Sequence, residues 1–227
     1  MRVSIARIAL SVALWLAGLP PAGAAANDWE VIAERDGIVV SSRQVAGREL
    51  PQLRSVGEVA GTPYEVLAVL LDVPGYVDWL PDCVEARTVR RIGPWRSLIY
   101  TRTDVPVPVA DRDVVVLNTV EFVEPPRRVR MSFQAVPAPR VARVHGVVRM
   151  TQATGSYAIE AIDATRSRVQ YEIDADPAGA VPDWLIASQS TRNPLETLAG
   201  LRRRLEETRG QYDEFITRFP SGADAAH

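Results

Sequence analysis

From Val84 to Ile173 apolar and polar residues alternate in short runs, each bounded by Gly, Pro or an acidic turn. A period of two is the signature of half-buried strands. It predicts strands at Val84–Ile92, Ser97–Val105, Val114–Phe122, Val129–Val136, Val144–Thr151, Ser156–Ile162 and Arg168–Asp174. A spacing of about 10–15 residues per strand suits hairpins rather than crossover helices, so an antiparallel meander is expected. Upstream, Ile38–Val40 after Asp36-Gly37 and Gln52–Val59 read as two further strands, and Asp28–Glu34 as a short helix anchored by Trp29. Gly61-Thr62-Pro63 opens a better-marked helix. Thr62 is its N-cap, Pro63 takes the first helical position and Glu65 completes a Thr-x-x-Glu capping box. Val66, Leu67, Leu70 and Leu71 form its apolar face, Pro74-Gly75 ends it, and Tyr76–Leu80 follows as a turn or short helix.

The period changes again near the C-terminus. Pro182-Asp183 starts a helix, and Leu195, Leu198, Leu201, Leu205, Tyr212, Phe215 and Phe219 recur at spacings of three, four or seven. Asn193-Pro194 is expected to kink or split it. The sum is an α+β chain: a long curved antiparallel sheet with a long amphipathic helix against it. A curved sheet closed by a helix tends to enclose space, and enclosed space often holds a ligand.

The N-terminus follows neither pattern. Arg2 and Arg7 precede an apolar run from Ile8 to Leu19, Pro20-Pro21 breaks it, and Ala24-Ala25-Ala26 offers a small-residue cleavage site. Residues 1–26 are therefore read as a secretory signal cut after Ala26, giving a periplasmic or secreted protein. The run is short for a membrane span, which needs about 20 residues. Residues 220–227 are read as a disordered tail, leaving one domain at 27–219.

Composition removes several chemistries. The chain has 26 basic and 28 acidic residues, and every basic one is Arg. Without Lys there is no Schiff base, no pyridoxal attachment and no Walker lysine. A formal charge of −2 gives no electrostatic footprint for nucleic acid. The single Cys83 with His145 and His227 cannot form a Cys/His metal site, and no cofactor or metal is expected. His145 is the sole candidate for a catalytic imidazole within the domain, and no Gly-x-Ser-x-Gly elbow accompanies it, so no catalytic residue is assigned.

Several short motifs then fall in order: Trp29 and Asp36-Gly37-Ile38; Tyr76-x-x-Trp79; Pro106-x-Pro108 leading into Asp111-Arg112-Asp113-Val114; Arg149; and Asp176-Pro177-x-Gly179-x-x-Pro182-x-Trp184-Leu185. In this order and spacing the chain resembles a START domain, the steroidogenic-acute-regulatory-related lipid-transfer domain, over about residues 27–208. The resemblance implies a helix-grip fold with a hydrophobic tunnel between sheet and helix. It implies binding of one lipid-sized ligand, carriage between membranes through transient contact with their surface, and a monomer without enzymatic activity. It also implies a gate made of the loop Val105–Asp111, stiffened by Pro106 and Pro108, and the helix from Pro182. Family members often bury an acid and an Arg on the strands flanking that loop. Here the first strand offers Arg102 and Asp104, and Asn118 stands where the Arg is expected. A related use of the fold is the aromatase/cyclase of polyketide assembly, the alternative enzymatic reading. A filled interaction module is the other.

Individual residues are weighed on the same basis. Arg149 is expected to meet either a ligand headgroup or a buried carboxylate, the alternative being an exposed strand-edge ion pair. Arg112-Asp113 is expected to hold the gate loop to the sheet. Tyr100, Asn118, Phe133 and Tyr171 sit mid-strand and are tunnel candidates with Arg102, although parity alone does not say which face looks inward. Trp184, at the start of the last helix, is expected to pack in the core, line the tunnel or touch a membrane.

Overall fold

The computed structural model describes residues 29–217. The segment expected to be a secretory signal, the expected tail and Phe219 lie outside the described residues.

Ten strands form one sheet: β1 (Glu30–Arg35), β2 (Ile38–Arg43), β3 (Gln52–Ala60), β4 (Cys83–Gly93), β5 (Arg96–Thr103), β6 (Asp111–Glu124), β7 (Arg128–Ala135), β8 (Val147–Arg149), β9 (Gln152–Ala161) and β10 (Arg166–Asp176). Their order is β1-β2-β3-β10-β9-β7-β6-β5-β4, antiparallel throughout that path. Only β8 pairs parallel, alongside the first three residues of β6. It replaces the longer strand expected at Val144–Thr151.

The N-terminal segment expected as a helix is the edge strand β1. Asp36 and Gly37 both have positive φ, 52° and 68°. A two-residue turn of this hand matches the twist of antiparallel strands, so it folds Glu30–Arg35 back onto β2, with Arg35 opposite Ile38. Trp29 is no helix anchor; it lies under the guanidinium groups of Arg43 and Arg54, 4.5 and 4.3 Å from its ring centre.

Helix α1 (Pro63–Leu71) begins as expected. Thr62 Oγ1 accepts from the Glu65 amide, and Glu65 accepts in return from the Thr62 amide at 2.6 Å. A single 3-10 turn (Val73–Gly75) leads into α2 (Tyr76–Trp79), which is capped by a hydrogen bond from the Leu80 amide to the Tyr76 carbonyl. Helix α3 (Asp183–Glu207) crosses the concave side of the sheet and runs through Pro194 without a break. Proline removes one amide donor from the ladder. Burial of Pro194, Leu195, Leu198, Leu201 and Leu205 outweighs that loss. Helix α3 stops at Glu207, and Tyr212 and Phe215 belong to a separate turn leading through α4 (Asp213–Ile216), so the helical face is shorter than its spacing suggested.

The main core lies between the concave sheet face, α1 and α3, with Val66, Leu67, Leu70, Leu198 and Leu201 fully enclosed. Gly200 sets how closely α3 approaches α2: a Cβ there would lie 2.1 Å from the Trp79 carbonyl oxygen. A smaller core of Tyr100, Val115 and Val141 lies on the opposite face of the sheet.

Candidate functional site

The inward strand positions follow strict alternation. On β5 they are Ile99, Thr101 and Thr103; on β6, Arg112, Val114, Val116 and Asn118; on β10, Tyr171, Ile173 and Ala175. Together with α2 and the first turns of α3 they enclose a cavity of about 330 Å³. That lies at the lower end of the roughly 300–1,000 Å³ typical of small-molecule sites. From Arg112 to Asn118 the strand rises by about 20 Å, which is the depth of the groove along β6.

The deep end is aromatic. Tyr157 and Tyr171 stack with ring centres 4.7 Å apart, and Phe133 packs 6.4 Å from Tyr171. Gly155 makes room for the Phe133 ring, since a Cβ at that position would come within 2.3 Å of it. Tyr76 meets Trp79 edge to face at 5.5 Å and donates its phenol proton to the Leu70 carbonyl at 2.6 Å. Burial raises the pKa of Tyr76, Tyr157 and Tyr171, so all three phenols stay neutral. Asn118 joins this group, 4% exposed, with Nδ2 3.9 Å from the Met131 sulfur.

The mouth is held by Arg112, which is 5% exposed. Its Nε donates to the Pro177 carbonyl at 3.3 Å, Nη2 to the Ala178 carbonyl at 3.1 Å, and Nη1 to the Ala110 carbonyl. One side chain thereby ties the loop after β5 to the turn before α3. Burial lowers its pKa, partly opposed by Asp111. At the base of the loop Asp111 Oδ1 accepts from the Val105 amide at 3.3 Å. Val105 reaches the cavity wall, whereas Pro106, Val107 and Pro108 face outward. Pro182 is the N-cap of α3 rather than a residue of its first turn.

Thus Asn118, Phe133, Tyr171 and Arg112 lie on the cavity wall. Four other tunnel candidates lie elsewhere. Tyr100 and Arg102 occupy the opposite parity of β5 and face the convex side. Arg149 is there too. It forks onto Asp113, Nε to Oδ1 at 2.5 Å and Nη2 to Oδ2 at 2.9 Å, with side chains 9% and 1% exposed. It meets a buried carboxylate, not the cavity, and Asp113 holds β8 rather than the gate loop. Trp184 is 60% exposed beside Leu185, which does line the cavity. His145 is exposed. Among the described residues no cluster of His, Cys, Asp and Glu is arranged to hold a metal ion.

Tyr76, Trp79 and Leu185, which the sequence marked as motif residues but not as cavity lining, also lie on the wall, together with Met131 and Tyr157, which it did not single out. The available signal was parity. Once Asn118 faces inward, Val114 and Val116 must follow, and strand pairing carries the choice to Phe133 opposite it.

The START domain family model matches residues 21–210. This chain is a START domain. The chain is 28% identical to an uncharacterized protein of Pseudomonas aeruginosa over 184 residues, 81% of this chain and 90% of that one. The mouse phosphatidylcholine transfer protein is 25% identical over 162 residues, 70% of this chain and 75% of its own length. Among solved structures, the STAR-related lipid transfer protein of Xanthomonas axonopodis superposes with a TM-score of 0.71 at 27% identity, covering 79% of this chain and 99% of that one. An aromatase/cyclase from Streptomyces shares the fold alone, with a TM-score of 0.52 at 16% identity over 70% of this chain and 96% of its own. The START fold is therefore used both by lipid-transfer proteins and by an enzyme.

Proposed function

We propose that this START domain binds one lipid-like molecule in the cavity between the sheet and α3, and carries it through the periplasm or between membranes after export by its N-terminal segment. The observation that carries the reading is the cavity itself: a groove about 20 Å deep, walled by aliphatic and aromatic side chains and closed by an amphipathic helix. Burial of apolar surface is worth about 25 cal/mol per Å², so such a wall binds a hydrocarbon body without many polar contacts. The wall supports binding rather than turnover. It holds no histidine or cysteine, and its one arginine is engaged with three carbonyls.

Two exposed apolar residues stand at the gate. Val107 is 93% exposed on the loop after β5, and Trp184 is 60% exposed at the start of α3. Their neighbours Val105 and Leu185 line the cavity, which favours transient docking of this end on a bilayer surface, where Trp is at home.

The test is native mass spectrometry of protein purified from a bacterial periplasm, followed by organic extraction. One added mass of lipid size per monomer, removed by extraction, is expected. Ala175→Trp, which fills the groove near its mouth, should abolish that added mass while the protein stays folded. A mass that remains that of the bare chain after incubation with membrane lipids would overturn the reading.

A further inference from the structure

Charge is spread unevenly over the sheet. From Cys83 to Met150, the segment that forms β4 to β8, the chain has 12 arginines against 6 acidic residues, whereas the rest of the described residues have 11 against 20. Most acidic groups of that segment are committed. Asp113 is buried against Arg149, and Asp111 accepts from the Val105 amide. Glu124 stands 3.6 Å from Arg128, and Glu85 stands 3.4 Å from Arg87 and 4.0 Å from Arg102.

Strand parity gathers the arginines on the convex face. Arg96 shares the outward parity of Tyr100 and Arg102 on β5. On β4, Arg87 lies over the Tyr100 ring, 4.5 Å from its centre, and Arg90 stands opposite Leu98. Arg130 on β7 stands opposite Glu121 on β6. Arg140 and Arg143 flank Val141, which is buried against Tyr100 and Val115. Arg90, Arg96, Arg140 and Arg143 are exposed, and none has an acidic partner among the described residues. Val89, Leu98 and Leu117 lie half-buried on the same face. Apolar side chains with arginines around them are the make-up of a protein interface, and the planar guanidinium pairs with a carboxylate through two parallel hydrogen bonds.

We infer that the convex face of β4 to β7 docks a separate protein whose surface is rich in Asp and Glu. Its uncompensated guanidinium groups supply the charge complementarity that selects such a partner and speeds its encounter. The face lies across the sheet from α3 and the cavity, so a partner held there leaves the mouth free. A bilayer fits it less well: the face exposes no aromatic side chain, and the exposed Trp184 stands at the mouth instead. A second copy also fits less well, since its acidic half against this basic face makes a head-to-tail contact that does not close. The inference stands apart from what the cavity holds.

The experiment titrates the protein into fluorescein-labelled polyglutamate at about 0.15 M ionic strength, where charges are screened beyond about 8 Å. Vesicles of phosphatidylcholine and phosphatidylglycerol in equal parts serve as the membrane probe. The polymer should bind, and Arg90→Glu with Arg96→Glu and Arg143→Glu should weaken it about tenfold or more. Tm should be unchanged, because these three arginines have no ion pair to lose. Arg168→Glu with Arg209→Glu, exposed residues outside the face, should weaken the polymer by less than about twofold. Absence of polymer binding, or equal weakening by the substitutions outside the face, would overturn the inference. So would salt-sensitive self-association that the triple substitution abolishes. Vesicle binding weakened by the triple substitution as strongly as polymer binding would also overturn it, and would give the face to a bilayer.

Discussion

Asp113 and Arg149 show how a single pair is chosen by position. Asp113 takes the outward parity of β6 and Arg149 the facing position on β8, so the carboxylate and guanidinium meet edge to edge. Tyr100 lies beneath, its ring centre 5.9 Å from the Arg149 guanidinium. Breaking a buried pair by removing one partner leaves a charge with no compensation. Asp113→Ala should therefore cost about 3 kcal/mol in urea unfolding, and Asp113→Leu combined with Arg149→Met should cost less than the sum of the single changes. Full additivity would show that the pair is not coupled. Cys83 is another case of position deciding chemistry. Burial pushes its thiol up to about 11, so it is a neutral packing residue at ordinary pH rather than a nucleophile.

At the scale of elements, local chemistry and packing carry different weight. Helix α1 was readable because its capping box, its proline and its apolar stripe act within ten residues of one another. Helix α3 was readable in outline, but the split that was one of the two outcomes expected at Pro194 does not occur: burial against the sheet holds the helix together. The segment before Asp36-Gly37 was misjudged, because its structure depends on a partner strand. Gly200 is where α3 and α2 press backbone to backbone, with no space for a methyl group. Gly200→Ala should destabilise the protein by about 1–3 kcal/mol, the usual cost of overpacking, in spite of alanine's better helix propensity. A melting temperature equal to or above that of the parent would show that the contact yields.

At the scale of the molecule, the two segments at the cavity mouth are joined through one side chain. Arg112 joins the loop after β5 to the turn before α3, so whatever opens one must release the other. The apolar side chains exposed on these two segments, Val107 and Trp184, are the surface through which membrane docking would act. Val107→Asp with Trp184→Ala should slow lipid uptake from liposomes about tenfold or more, if the two together contribute a little over 1.4 kcal/mol of interfacial binding. Loading at equilibrium, measured after long incubation, should be unchanged. An unaltered uptake rate would remove these residues from the docking surface.

The sequence alone determined the class of the fold, because strand alternation, turn residues and the capping box act over a few neighbouring positions. The order of the motifs was enough to place the chain in its family. It also determined which chemistries are absent, since a chain without lysine and with two histidines has few catalytic options. Tertiary structure alone decided which parity of each strand faces inward. Tyr100 and Asn118 look equally suited mid-strand, yet one packs on the convex face and the other lines the cavity. A period of two divides the residues into two sets, and only the helix that covers one face names which set is inside. For the same reason the deep wall of Tyr76, Trp79, Met131 and Tyr157 emerged only from the folded chain: these residues lie on α2, β7 and β9, and their common surface exists only once α3 has closed over the sheet.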